Sequence, residues 1–229
     1  MLLDTSFDIK NIICSYFNDL RDAINLYNIN KDHQENIMIK NLYDIPIKYL
    51  NRFNQQIIEQ NKYRYVEKFG VIYNEKISNV NHMKKTLKIL DCSKFIFSDK
   101  KNGIDQNGIL ELNLIELYAG SNEKIKNVNH MKKTLKVLDC SWNCGIDQNG
   151  IFELNLIELY ANSNEKIKNV NHMKDTLKIL HCASYCGIDQ YGISELNLIK
   201  LYAIYNDKIR NVNQVKKTGF DETVYKVLL

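Results

Sequence analysis

In 229 residues the sequence holds one proline, Pro46, and one tryptophan, Trp142. No apolar run approaches the ~18 residues of a membrane span. The start, Met1-Leu2-Leu3-Asp4, turns polar at once and has no apolar signal core. None of the many asparagines stands in an Asn-x-Ser/Thr acceptor. These absences lead us to expect a cytoplasmic protein that does not enter a membrane. A dominant charge is lacking too. The net charge of +4 comes from 31 Lys and Arg against 27 Asp and Glu, scattered along the chain, too mild and too dispersed to indicate nucleic-acid binding. There is no phosphate-binding glycine loop and no zinc-ligand spacing; Gly145-Ile146-Asp147-Gln148-Asn149-Gly150 simply recurs along the chain. Carboxylates, histidines and cysteines recur in the same way, whereas catalysis needs a unique constellation. The expectation is no enzyme, no cofactor and no metal.

What is present is repetition. Leu87-Lys88-Ile89-Leu90-Asp91-Cys92 returns as Leu135-Lys136-Val137-Leu138-Asp139-Cys140 and as Leu177-Lys178-Ile179-Leu180-His181-Cys182. Between these copies runs a second type: Leu114-Ile115-Glu116-Leu117-Tyr118-Ala119, then Leu156 to Ala161 and Leu198 to Ala203. Starts at 114, 135, 156, 177 and 198 are 21 residues apart, and a degenerate copy starts at Val66. The step from Leu87 to Leu114 is 27, so that copy carries six extra residues near 95–101. The reading is seven rungs of two alternating types over residues 66–218, a helical segment over 1–65 and a C-terminal cap over 219–229.

Counting the first leucine as position zero, apolar residues fall at 0, 3 and 5. Positions 3 and 5 have the period of a strand, which sends them to one face. Asparagine follows at position 8 in five rungs, Asn74, Asn122, Asn143, Asn164 and Asn206, where a buried amide could bond the open backbone groups of a turn. Tyr185 breaks this column, and the inserted rung offers Lys101. In the Tyr-containing type Ile167, Val170 and Met173 recur every three residues, which suits a 3₁₀ turn, and Thr86, Thr134, Thr176 and Thr218 close these rungs. In the other type Gly108, Gly150 and Gly192 precede an isoleucine, and the expectation is a positive φ there. Cys92, Cys140 and Cys182 share one position and Cys144 and Cys186 another. Equivalent residues two rungs apart lie about 9–10 Å from each other, too far for a disulfide, which needs roughly 7 Å; buried core thiols are expected. His82, His130 and His172 read as a solvated outer column.

The run Leu-x-x-Leu-x-Cys/Ala-x-x-Asn resembles the leucine-rich repeat. The wording of copies such as Leu135 to Asn143 and Asn169-Val170-Asn171-His172-Met173-Lys174 is similar to leucine-rich-repeat proteins of Mimivirus-like giant viruses. The resemblance covers 66 to about 218, with one departure: the apolar residue after Asn sits at position 11, as in Ile125 and Ile146. It implies an α/β solenoid with a parallel sheet on its concave face and a viral protein acting in host cytoplasm.

Residues 1–65 lack the repeat. Ile9, Ile12, Ile13, Tyr16 and Phe17 have helical spacing, as do Leu20, Ala23, Ile24 and Tyr27. Asp19 could cap a second helix, and a third runs from Ile47 through Ile57 and Ile58. Such a bundle could cover the apolar end of the array. The order of apolar residues from Phe7 to Phe17, then Leu20 and Leu26-Tyr27, also resembles an F-box, although Ser6-Phe7 stands where that family has Leu-Pro. That resemblance implies docking of a Skp-type ubiquitin-ligase adaptor by Ile12, Ile13, Tyr16 and Phe17.

Solenoids bind through their extended surfaces. Strand residues between core positions are the candidates here: Asp91, Tyr118, Asp139, Tyr160, His181 and Tyr202 at position 4, with Glu116 and Glu158 at position 2. Tyrosine offers a large area and a polar tip to a partner; a stabilising ladder along the sheet is the alternative. The inserted Phe95-Ile96-Phe97 is a second candidate contact. The functional expectation is a protein-interaction scaffold, or else a structural or virion-associated repeat protein without a defined ligand.

Overall fold

The computed structural model describes residues 39–43, 45, 50–94, 102–211 and 224–225. Among them the chain forms one sheet of nine strands, all parallel and in chain order. The strands are β1 (Asn41–Leu42), β2 (Lys68–Gly70), β3 (Ile89–Asp91), β4 (Glu116–Tyr118), β5 (Val137–Asp139), β6 (Glu158–Tyr160), β7 (Ile179–His181), β8 (Lys200–Tyr202) and β9 (Val224–Tyr225). The repeat predicts strands over Leu114–Ala119, Leu135–Cys140, Leu156–Ala161 and their equivalents, positions 0 to 5; the ladders narrow each to positions 2 to 4. The register joins Phe69, Leu90, Leu117, Leu138, Leu159, Leu180 and Leu201 into one inward column. Every member is at most 1% exposed, while its strand neighbours on β3 to β8 are half-buried. This is a solenoid-like α/β repeat.

The sheet runs beyond the stretch in which the repeat is legible. Strand β1 lies within 1–65 and β9 within 219–229. The helix expected from Ile47 to Ile58 is interrupted: where described, Leu50 is helical, residues 51–54 are not, and α1 covers Gln55–Ile58. Asn54 marks the break and starts α1: its backbone is extended, and its side chain accepts from the Ile57 N–H as a cap. Residues 1–38 and 95–101, which hold the F-box-like positions Ile12, Ile13, Tyr16 and Phe17 and the Phe95-Ile96-Phe97 candidate, lie outside the described residues, as does Thr218.

The chain returns from each strand through short helical turns. The three-residue period gives 3₁₀ turns at Asn81–Met83, Asn129–Met131 and Asn171–Met173. The glycine-containing rungs turn through Asn107–Ile109, α2 (Gln148–Ile151) and Tyr191–Ile193. No described glycine has positive φ, which corrects the expectation for Gly108, Gly150 and Gly192. Their role is close approach. A Cβ on Gly150 would stand 2.2 Å from the Lys126 carbonyl oxygen of the preceding rung, and one on Gly108 2.0 Å from that of Ser78. The positive φ falls instead at position 7, on Tyr73, Ser121, Trp142, Ser163, Ser184 and Tyr205, each strained relative to glycine.

The asparagine column also needs correction. Asn74, Asn122, Asn164 and Asn206 are buried, and each amide donates to two carbonyls of the rung before it. Asn143 is exposed. In the alternate rungs the inward residue is one position later: Cys144, Cys186 and, in the inserted rung, Asn102, not Lys101. Asn102 Nδ2 donates to the Cys92 carbonyl at 2.6 Å. All five described cysteines are buried and free. Burial pushes the Cys144 thiol up to about 12 and also raises those of Cys140, Cys182 and Cys186.

Candidate functional site

The alternation of strand residues decides what the outer face carries, because positions 2 and 4 share one side of the sheet. All eight candidates, Asp91, Glu116, Tyr118, Asp139, Glu158, Tyr160, His181 and Tyr202, stand on that face and are half-buried. Pairing places Asp139 between Tyr118 and Tyr160, and His181 between Tyr160 and Tyr202. The glutamates pin the tyrosines: the Tyr118 hydroxyl donates to Glu116 Oε2 at 2.8 Å, and Tyr160 bonds Glu158. Burial, and then these carboxylates, raise both phenols well above their usual range.

His181 is stacked between two tyrosines. Its ring centroid is 4.2 Å from that of Tyr160 and 4.2 Å from that of Tyr202, with interplanar angles of 20° and 12°. Burial lowers its pKa, outweighing the pull of Glu158 and Asp139 toward the charged form. The neutral ring is a stacking element, and the 3.8 Å approach to Glu158 is an ion pair only when the ring is protonated.

At the other end Tyr43, which sequence reasoning missed, joins the same face. Its ring meets Tyr118 edge-on at 6.4 Å, and its hydroxyl bonds the Asp91 carboxylate. Glycine at position 70 leaves room for this: a Cβ there would sit 2.6 Å from the Tyr43 carbonyl oxygen. A signal existed. Ile39-x-x-Leu42-Tyr43 matches Leu156-x-x-Leu159-Tyr160, and the step from Ile39 to Val66 is 27 residues, as from Leu87 to Leu114. Burial raises the pKa of Asp91 despite hydrogen bonds from Ser93 and Tyr43.

The return side differs in character. Gln106, Gln148 and Gln190 each accept from two successive backbone N–H groups of the following rung and donate to a carbonyl there. His82, His130 and His172 are exposed as expected, but each ring donates from Nε2 to an isoleucine carbonyl of the preceding rung. The ion pairs Lys84–Glu111, Lys132–Glu153 and Lys174–Glu195 are largely exposed and contribute little. Among the described residues no group of three or more His, Cys, Asp or Glu could hold a metal ion, and no helix is long and apolar enough to cross a membrane. Compared with known protein families and with curated proteins, the chain matches none.

Proposed function

We propose that the chain is a leucine-rich-repeat scaffold that binds a partner protein through the outer face of its parallel sheet. The observation that carries this reading is the contrast along position 4. Return turns repeat the same residues with the same bonds, whereas the face presents Tyr43, Asp91, Tyr118, Asp139, Tyr160, His181 and Tyr202 in one line. Half-buried aromatic rings with polar tips are the side chains that most often anchor protein interfaces. The sheet spans enough strands for a contact of standard size, about 800 Å² per partner.

The finer reading keeps the resemblances noted above. The 21-residue spacing and the inward Asn or Cys after each strand support a leucine-rich repeat. A giant-virus source and a role as a ubiquitin-ligase substrate adaptor belong to the same proposal; docking of a Skp-type adaptor would fall to Ile12, Ile13, Tyr16 and Phe17. Affinity capture with the full chain tests the face. Changing Tyr118, Tyr160 and Tyr202 together to alanine should abolish retention of the partner, and changing Lys132 and Lys174 on the return side should not. Equal retention by both variants would remove the sheet face from the account.

A further inference from the structure

We infer that the gap between Tyr118 and Tyr160, floored by Asp139, is a pocket for an arginine side chain carried by an extended segment of the partner. The inference rests on the sheet face being the binding surface and names the chemistry it recognises. Along position 4 the gaps Tyr118–Tyr160 and Tyr160–Tyr202 are each two strand spacings wide, about 9.5 Å, whereas Tyr43 and Tyr118 stand three strands apart with Gly70 and Asp91 between them. The protein itself covers the stretches on either side of the Tyr118–Tyr160 gap. Tyr43 lies over Asp91 and reaches Tyr118 edge-on. His181 occupies the gap between Tyr160 and Tyr202, with 4.2 Å to each ring. This sandwich demonstrates what the spacing accepts: one planar, nitrogen-bearing group stacked on both tyrosines.

The middle gap has the same walls and a different floor. Asp139 holds the register position that His181 holds one super-repeat later. Its side chain is shorter and carries no ring to stack on Tyr118 and Tyr160. Oδ1 accepts from the Ser141 N–H at 2.9 Å. Among the described residues Oδ2 has no hydrogen-bond donor, and glycine at position 120 keeps its flank clear, since a Cβ there would lie 3.2 Å from Oδ2. Asn162 and Ile204 stand at the position of Gly120 in the later copies. The walls are preset, because Tyr118 and Tyr160 are tied to Glu116 and Glu158.

Charge selects the occupant. Outward positions on β3 to β6 carry Asp91, Glu116, Asp139 and Glu158 and no lysine or arginine, in a chain whose net charge is +4. A guanidinium is planar, stacks on aromatic faces and bonds a carboxylate through paired N–H groups. An ammonium has the charge without the plane, and a neutral amide the plane without the charge.

The test uses the full chain and three short peptides of glycine and serine. They are identical except for a central arginine, lysine or citrulline, and the readout is tyrosine ring resonances in a titration. The arginine peptide should bind about tenfold more tightly than either of the others, shifting Tyr118 and Tyr160 and leaving Tyr202 unmoved. Asp139→His, which rebuilds the His181 sandwich in the middle gap, should abolish that binding with an unchanged urea midpoint. Asp139→Asn, a smaller change, should bring arginine down to the citrulline level. Equal binding of the three peptides, shifts confined to Tyr202, or undiminished binding by Asp139→His would overturn the pocket. Loss of the natural partner by the triple tyrosine variant but not by Asp139→His or Asp139→Asn would also overturn it while leaving the sheet face in place.

Discussion

The return turns and the outer face of the sheet are built from the same repeat, yet repetition does opposite things in them. At the turns, identity is reproduced down to the bond. Asp105, Asp147 and Asp189 each accept from a glycine N–H three residues on, and Gln106, Gln148 and Gln190 each clamp the next rung. On the face, one register position carries Asp91, Asp139 and His181 in successive copies, and the outcome changes with it: a tyrosine-bound carboxylate, a carboxylate on the Ser141 N–H with no ring beside it, a histidine sandwich. Residues that every copy keeps hold the backbone through one repeated bond. Where the copies vary, the backbone is served in different ways, Asp91 and Asp139 accepting from the N–H two residues on and Asn162 accepting from Ala183 where histidine stands.

The sharpest way to break this comparison is to damage what is repeated. Leu138 is fully buried in the inward column, and Leu138→Ala should cost about 2–5 kcal/mol, the range for large-to-small core changes, in urea unfolding. Gly150→Ala should cost about 1–3 kcal/mol by overpacking, because its new Cβ meets the Lys126 carbonyl and the Val128 N–H to Gly150 carbonyl bond must shift. On the face, Tyr160→Ala should cost about 1 kcal/mol, the scale of one lost aromatic pair, since its neighbours remain paired through the sheet. A loss on Tyr160→Ala as large as that on Leu138→Ala would mean that the face is part of the core.

A weaker effect sharpens the comparison by pH. Burial lowers the pKa of His130, His172 and His181 from the usual 6.5. The folded state therefore prefers the neutral rings, and the unfolded chain takes up protons first. The stability this contributes is complete above about 6.5 and is lost as pH falls through that value toward the lowered ones. Melting temperature should accordingly drop between pH 7.5 and 5.5. His181→Phe keeps a ring between Tyr160 and Tyr202 and should reduce that drop only in part, because His130 and His172 on the return side still titrate. A drop unchanged by His181→Phe would mean that the stacked ring on the face contributes nothing to it.

One parallel strand per rung, though not its narrower bounds, the 3₁₀ turns on the Met173 column and the shared face of the eight candidates were legible because each follows from a period. Glycine misled because the same residue serves positive φ and close approach, and only neighbouring rungs distinguish the two. Asn143 misled because position 8 reads alike in both rung types, while Cys144 turns inward beside it. The earliest rung escaped because its markers are sparse: Asn54-Gln55-x-x-Ile58 aligns with Asp147-Gln148-x-x-Ile151, but no glycine and no leucine-cysteine pair accompanies it. The stacking of His181 between Tyr160 and Tyr202 could not be read, since spacing gives register and not ring orientation.

The central claim, that the face is free for binding because the turns hold the fold, is tested most directly by urea unfolding of two variants side by side. One changes Tyr118, Asp139 and Tyr160 together to alanine; the other changes Gln106, Gln148 and Gln190 to alanine. The account predicts that the face variant keeps most of its unfolding free energy. The turn variant should lose about 1 kcal/mol or more per glutamine, because each leaves two N–H groups and a carbonyl without their partner. A face variant that unfolds as readily as the turn variant would contradict it.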